Sequence, residues 1–141
     1  MENKFDVTAL GELLIDFTQN GMSDSGNWMM EANPGGAPCN VLAMLQKLNH
    51  KTCFIGKVGN DIFGKQLIDA VKACGIETSF ITKDKEIRTT LAFVQNKEDG
   101  DREFSFYRNP GADMMLTEDE VNLDAIKESR IFHFGTLSMT H

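Results

Sequence analysis

The stretch 33–75, NPGGAPCNVLAMLQKLNHKTCFIGKVGNDIFGKQLIDAVKACG, decides the fold. Asn33-Pro34-Gly35-Gly36 reads as a turn by composition. Pro38 then sits where a first helical turn tolerates proline. Val41, Met44, Leu45 and Leu48 recur at i, i+3, i+4 and i+7, which predicts one buried helix face ending near Asn49-His50. Thr52 to Val58 reads as a short buried strand, and Asp61 opens a second helix. The predicted inner face of that helix is Phe63, Leu67, Ala70, Val71 and Cys74, and Gly75 stops it. Alternating strands and helices imply a parallel sheet with helical crossovers.

Toward the N-terminus, apolar residues alternate from Phe5 to Leu10, Gly11-Glu12 interrupts, and Leu13-Leu14-Ile15-Asp16-Phe17 resumes the run. The pattern is one strand that breaks and continues in a new direction. A polar, Gly-containing stretch from Gln19 to Asn27 follows, and Trp28-Met29-Met30-Glu31 is expected to pair back as a strand. Toward the C-terminus, Ile87 to Gln95 and Glu103 to Arg108 flank a loop, residues 96–101, that carries an Asp-Gly hairpin signal. Thr117-Glu118-Asp119-Glu120 has the form of a capping box, and Ile131 to Phe134 reads as another core strand. A parallel sheet needs helices on both faces, and only seven residues follow Phe134. The chain is therefore expected to be the front part of a longer protein.

With 141 residues, 14 Lys and Arg against 21 Asp and Glu, the net charge is -7, which repels phosphate backbones. Nucleic acid and anionic membrane surfaces are excluded as expected partners. The acidic residues from Glu98 through Asp101, Glu103, Asp113, Glu118, Asp119, Glu120 and Asp124 to Glu128 read as a solvated face. Cys39, Cys53 and Cys74 show neither disulfide nor zinc spacing, and the chain has neither a secretory leader pattern nor an apolar run of membrane-spanning length. A cytoplasmic protein with reduced thiols is expected.

Three stretches carry candidate chemistry. Gly59 to Lys65 fits the first seven positions of a P-loop, but Gln66 stands where a Ser or Thr hydroxyl must bind Mg²⁺. A structural helix start is the better reading. In Asn33 to Asn40, Gly35 and Gly36 leave backbone amides bare before a helix N-terminus, and Asn40 adds a side chain that both donates and accepts hydrogen bonds. This is either a plain turn and cap or a site for polar groups. Asp16 lies among apolar residues, where a carboxylate needs hydrogen-bond partners that a ligand's hydroxyls can supply, unless it turns to solvent. Phe104, Phe106 and Arg108 share a strand face by period 2. His133, Cys39 and the methionine pairs at 29–30 and 114–115 are read as packing residues.

Four motifs occur together: GELLIDF (11–17), NPGGAPCNV (33–41), GKVGNDIFG (56–64) and FYRNPGADM (106–114). In order and spacing they resemble the ribokinase-like, PfkB-type carbohydrate kinases, and within these the fructokinases. The resemblance spans essentially the whole chain. It implies a doubly wound α/β domain with a small β-sheet lid, residues 1–141 being its N-terminal part and residues 12–33 and 87–108 the lid segments. It implies a sugar between lid and core, held by Asp16, by the amides of Gly35 and Gly36 and by Asn40, with Phe106 and Arg108 closing the pocket from the lid. ATP and Mg²⁺ are the implied cofactors, and a homodimer through the β lid is the implied assembly. The family's general base, the aspartate of a Gly-Ala-Gly-Asp-type motif, is not among these residues, so base and nucleotide site are expected beyond His141 and this chain alone is expected to be inactive. Leu42 departs from the small residue usual two places after the motif asparagine, which bears on how the helix packs.

The leading reading is the front half of an ATP-dependent kinase for a ketohexose such as fructose, acting at a primary hydroxyl. A relative acting on 2-keto-3-deoxygluconate or another sugar, and a non-catalytic sugar-binding or dimerising module, are the alternatives. A P-loop nucleotidase is more distant.

Overall fold

The computed structural model describes residues 3–96 and 100–137. Among these residues, eight strands form two sheets of four. The first sheet holds β1 (Phe5–Leu10), β4 (Thr52–Gly59), β5 (Ile81–Asp84) and β8 (Ser129–Phe134) in the order β5-β4-β1-β8, all parallel. The second holds β2 (Leu14–Met22), β3 (Trp28–Gly35), β6 (Leu91–Asn96) and β7 (Arg102–Tyr107) in the order β3-β2-β6-β7. Here β2 pairs antiparallel with β3 and parallel with β6, and β6 and β7 form the antiparallel hairpin. Part of the expected hairpin loop, residues 97–99, lies outside the described residues. The predicted break at Gly11-Glu12 is where the chain leaves one sheet for the other.

Every residue of β4 is buried, as a strand covered on both faces requires. On one face α1 (Ala37–Lys47) and α2 (Ile62–Ala73) bury Leu42, Leu67 and Val71 against Val7, Ala9, Phe54 and Val58. On the other, the short helix α3 (Leu123–Lys127) and the preceding 3-10 turns cover Phe5, Cys53 and Ile55 with Ala125, Leu116, Val121 and Ile126. The doubly wound α/β reading and the separate small sheet are both present.

Several expectations are corrected. In α1 the buried residues are Pro38, Cys39 and Leu42, whereas Val41, Met44 and Leu48 are exposed and only Leu45 of the predicted face packs on the core. The cause is the fixed helix start, where Gly36 and Glu12 set the rotation of α1 before its apolar stripe can. Leu42, the departure noted above, is fully buried in the core. In α2 Cys74 is exposed. Asn33-Pro34-Gly35 is the end of β3 instead of a turn, and the chain turns at Gly36, whose φ of 124° favours glycine. Strand β5 went unforeseen because its sequence, Ile-Thr-Lys-Asp, is four residues long and half polar. No helix among the described residues is long and apolar enough to cross a membrane.

Candidate functional site

Strand β1 lies between β4 and β8, so the chain moves outward from it in both directions. The crevice beyond the C-terminal ends of β1 and β8 is the switch point at which open α/β sheets bind ligands. Leu10 pairs with Phe134 there, and Gly11, Glu12 and Gly135 follow. The second sheet rises from the same place through β2.

Asp16 lies opposite Asn33 on β3 and Ala92 on β6, and Ala92 lies opposite Phe106 on β7. Directly opposite residues share a face, so Asp16, Asn33, Ala92 and Phe106 form one row across the lid. Thr18, Val94 and Phe104 continue it outward. Phe104 and Phe106 are half exposed, with parallel rings 6.1 Å apart between centroids. The opposite face is closed toward α2, where Phe17 meets Phe63 edge-on at 5.6 Å and stacks on Phe93 at 5.0 Å.

At the inner end of the open face, the Asp16 carboxylate sits directly against the backbone of Gly35. A Cβ at Gly35 would overlap Asp16 Oδ2, so only glycine permits this approach. Asp16 is half-buried, and desolvation pushes its carboxyl above the usual aspartate range. Among the described residues no group donates a hydrogen bond to it. A carboxylate partly removed from water and left without donors is arranged to receive them from something else. Gly36 is the N-cap of α1 and has no side chain to cap it, and the helix has no acidic residue in its first turn. Asn40 is exposed in that first turn. Asp16, Gly35, Gly36 and Asn40 are thus brought together at the crevice, and Phe106 faces the same way from the lid.

Arg108, which follows the lid strand β7, is tied into the protein. Its side chain is only 10% exposed, and Nη2 donates to Asp113 Oδ2 at 2.9 Å. Asp113 is itself buried and also accepts from Thr90 Oγ1. This corrects the solvated-face reading of the acidic run, as does Glu120, which pairs with Lys57 Nζ at 2.8 Å. Lys57 Nζ further reaches Asp84 Oδ2 at 3.2 Å and donates to the Met115 carbonyl at 3.1 Å. Burial pulls the Lys57 ammonium down, but the two carboxylates outweigh it and hold it above the usual lysine value. The cluster clamps the segment after the lid onto β4.

Two buried carboxylates thus escape a reading of the sequence, Asp113 and Glu12. Glu12 Oε1 accepts the amide of Ala37 at 3.0 Å, fixing the start of α1, while Oε2 has no partner and faces Gly135. The available signal for Glu12 was its position inside the strand break, between Gly11 and Leu13.

The P-loop resemblance of Gly59 to Lys65 has a structural explanation. Asp61 Oδ1 accepts from the amides of Phe63 at 3.1 Å and Gly64 at 2.8 Å, and Oδ2 accepts from the Thr89 amide at 2.9 Å. Burial raises the Asp61 carboxyl, but these bonds together hold it below the ordinary aspartate value. A carboxylate of the protein occupies the place a phosphate would need. Cys39 is a packing residue, its thiol pushed up to about 12 by burial with a smaller contribution from Cys74.

Over 141 residues the chain is 45% identical to a probable fructokinase-5 of Arabidopsis thaliana, covering 99% of this chain and 44% of that protein. The crystal structure of fructokinase from Xylella fastidiosa superposes with a TM-score of 0.89 at 33% identity, over 96% of this chain and 42% of that one. The same enzyme's structure with bound ATP gives 0.88 at 32% identity, over 97% and 44%. The chain therefore spans less than half the length of the relatives it matches. The profile described as pfkB family carbohydrate kinase matches residues 4–141, and the chain belongs to that family.

Proposed function

We propose that this chain supplies the sugar-binding side of an ATP-dependent kinase that transfers the γ-phosphoryl group of ATP to a primary hydroxyl of a ketohexose such as fructose. The observation that carries the reading is the Asp16 carboxylate, half-buried and without a donor, set against Gly35 at the mouth of the crevice. Its two oxygens accept from two neighbouring sugar hydroxyls, and the bare amide at Gly36 and the Asn40 side chain take others. Phe106 covers the sugar's C–H surface from the lid and keeps water away from it. Holding the acceptor sugar in one orientation is the larger part of what a protein does in phosphoryl transfer. A cytoplasmic setting and a homodimer formed through the β lid belong to the same proposal.

Among the described residues, the loop at Gly59 to Lys65 does not fit the nucleotide's phosphates, because Asp61 already takes its amides. ATP and Mg²⁺ are assigned to the remainder of the complete enzyme, with the general base, and no step is drawn through them here. The fructokinase relatives support a sugar as acceptor, and the ATP-bound neighbour supports ATP as the donor.

A sugar panel tests the reading. In ¹⁵N-resolved NMR of the 141-residue chain, fructose is expected to shift the amides of Gly35, Gly36 and Asn40 and the lid residues around Phe106. Shifts confined to the far side of the molecule, or none with any sugar, would refute it.

A further inference from the structure

The lid carries a guanidinium next to the sugar face, and its charge is already matched inside the protein. Asp113, 4% exposed, holds Arg108 Nη2 through Oδ2 and Thr90 Oγ1 through Oδ1. Gly111 closes the group: a Cβ there would lie 2.8 Å from Asp113 Oδ1 and 3.0 Å from Arg108 Cγ, so the backbone is wrapped around the pair. Arg108 Nε is buried and has no acceptor. Arg108 directly follows β7, two residues after Phe106, and Thr90 directly precedes β6, whose Leu91 lies opposite Tyr107. The other ionisable groups identified at the crevice are carboxylates: Glu12, whose Oε2 has no donor among the described residues, and Asp16, raised by desolvation.

We propose that Asp113 sets the charge class of the sugar: by pairing with Arg108 it neutralises the lid guanidinium, so that the site takes a neutral ketose and rejects a sugar acid. The inference rests on the sugar-binding reading above and deepens it, since that reading leaves the neutral ketohexose and the 2-keto-3-deoxy acid side by side. A sugar carboxylate needs a cation with free donors. Here the guanidinium's charge is already matched by the Asp113 carboxylate, so its net pull on a second anion is small, and the carboxylates Asp16 and Glu12 add none. Nε, buried and without an acceptor among the described residues, suits a neutral oxygen. Specificity is a difference of affinities, and withholding attraction from the acid produces one. Removing the charge of Asp113 inverts the arrangement, because it leaves a buried guanidinium in need of an anion.

The test compares fructose with gluconate, a six-carbon acid of similar hydroxyl content, by NMR titration of the 141-residue chain and of Asp113→Asn, which keeps the shape and the acceptor oxygen. The wild-type chain is expected to bind fructose at least about tenfold more tightly than gluconate, and Asp113→Asn to lose or reverse that preference by about tenfold or more, the scale of one lost charge contact. Asp113→Glu should retain the preference. A merely structural role for Asp113 would weaken both sugars together and leave their ratio unchanged. Wild-type binding of gluconate as tight as that of fructose overturns the proposal, as does an unchanged ratio in folded Asp113→Asn. Should Asp113→Asn fail to fold, Asp113→Ser carries the same comparison with the same two outcomes. If neither compound shifts Gly35 or Gly36, the sugar-binding reading itself falls, an outcome distinct from gluconate winning.

Discussion

Asp16 shows a conflict between stability and binding on a single side chain. Its carboxyl is raised above the usual aspartate value by desolvation, so its charge opposes folding at neutral pH. That unfavourable contribution is present above the raised value and fades as pH falls through it. Asp16→Asn is therefore expected to raise the melting temperature, read by calorimetry, while weakening sugar binding. The same raised value gives a pH signature: affinity for fructose should begin to fall at a higher pH than an ordinary aspartate would allow, because the protonated acid accepts hydrogen bonds poorly. Gly35→Ala provides an independent check on the geometry. Its methyl group would occupy the position of Asp16 Oδ2, and displacing that oxygen should cost at least about tenfold in fructose affinity, on the order of one charge-assisted hydrogen bond. Lys65, whose side chain forms an exposed ion pair with Asp69 at 3.8 Å, should tolerate alanine with stability changed by less than about 0.5 kcal/mol. A nucleotide-binding P-loop would make the same change costly to ATP binding.

Among the elements, the segment between lid and α3 depends on Lys57. Its ammonium is buried between Glu120 and Asp84 and raised above the usual lysine value, because those carboxylates outweigh the burial that would lower it. Glu120 is lowered chiefly by its bond to Lys57, and Asp84 by the amides of Ile87 and Glu86. The cluster's stability is thus lost in acid as pH falls through the lowered carboxyl values, and in base only as pH rises through the raised lysine value. Lys57→Met should destabilise the chain by about 3 kcal/mol or more in urea unfolding, since it leaves carboxylates facing each other, and adding Glu120→Gln should recover part of the loss. The sequence revealed much at this scale. The broken strand at Gly11-Glu12, the hairpin at β6 and β7 and the capping residue Asp61 were all readable, because turn chemistry and period-2 alternation are local. Long-range pairing was not. Nothing in the neighbourhood of Asp113 or Glu120 distinguishes a buried acid from a solvated one, since the partners Arg108 and Lys57 are brought in by the fold. The outward stripe on α1 misled for a related reason: periodicity shows that an apolar face exists, and the Gly36 and Glu12 anchor decides which residues point inward.

Taken as a whole, the molecule presents apolar surface on the side of β8. Ile131, Phe132 and Phe134 are exposed on that strand, as are Val41, Met44 and Leu48 on α1, and β8 has no neighbour on its outer side among the described residues. Open strand edges beside uncovered apolar faces associate. The 141-residue chain should show concentration-dependent association in sedimentation velocity, and Phe132→Lys should reduce it without altering fructose binding. A monodisperse monomer at all concentrations would contradict this. The claim on which the rest depends is that the open lid face at Asp16 holds a sugar, and calorimetric titration of fructose into the wild-type chain and Asp16→Asn tests it most directly. The expected result is saturable binding to the wild type, weakened roughly tenfold to a thousandfold in Asp16→Asn, two charge-assisted hydrogen bonds being worth about 1 to 2 kcal/mol each. Equal affinity in a folded Asp16→Asn, or no binding by the wild type, would contradict it.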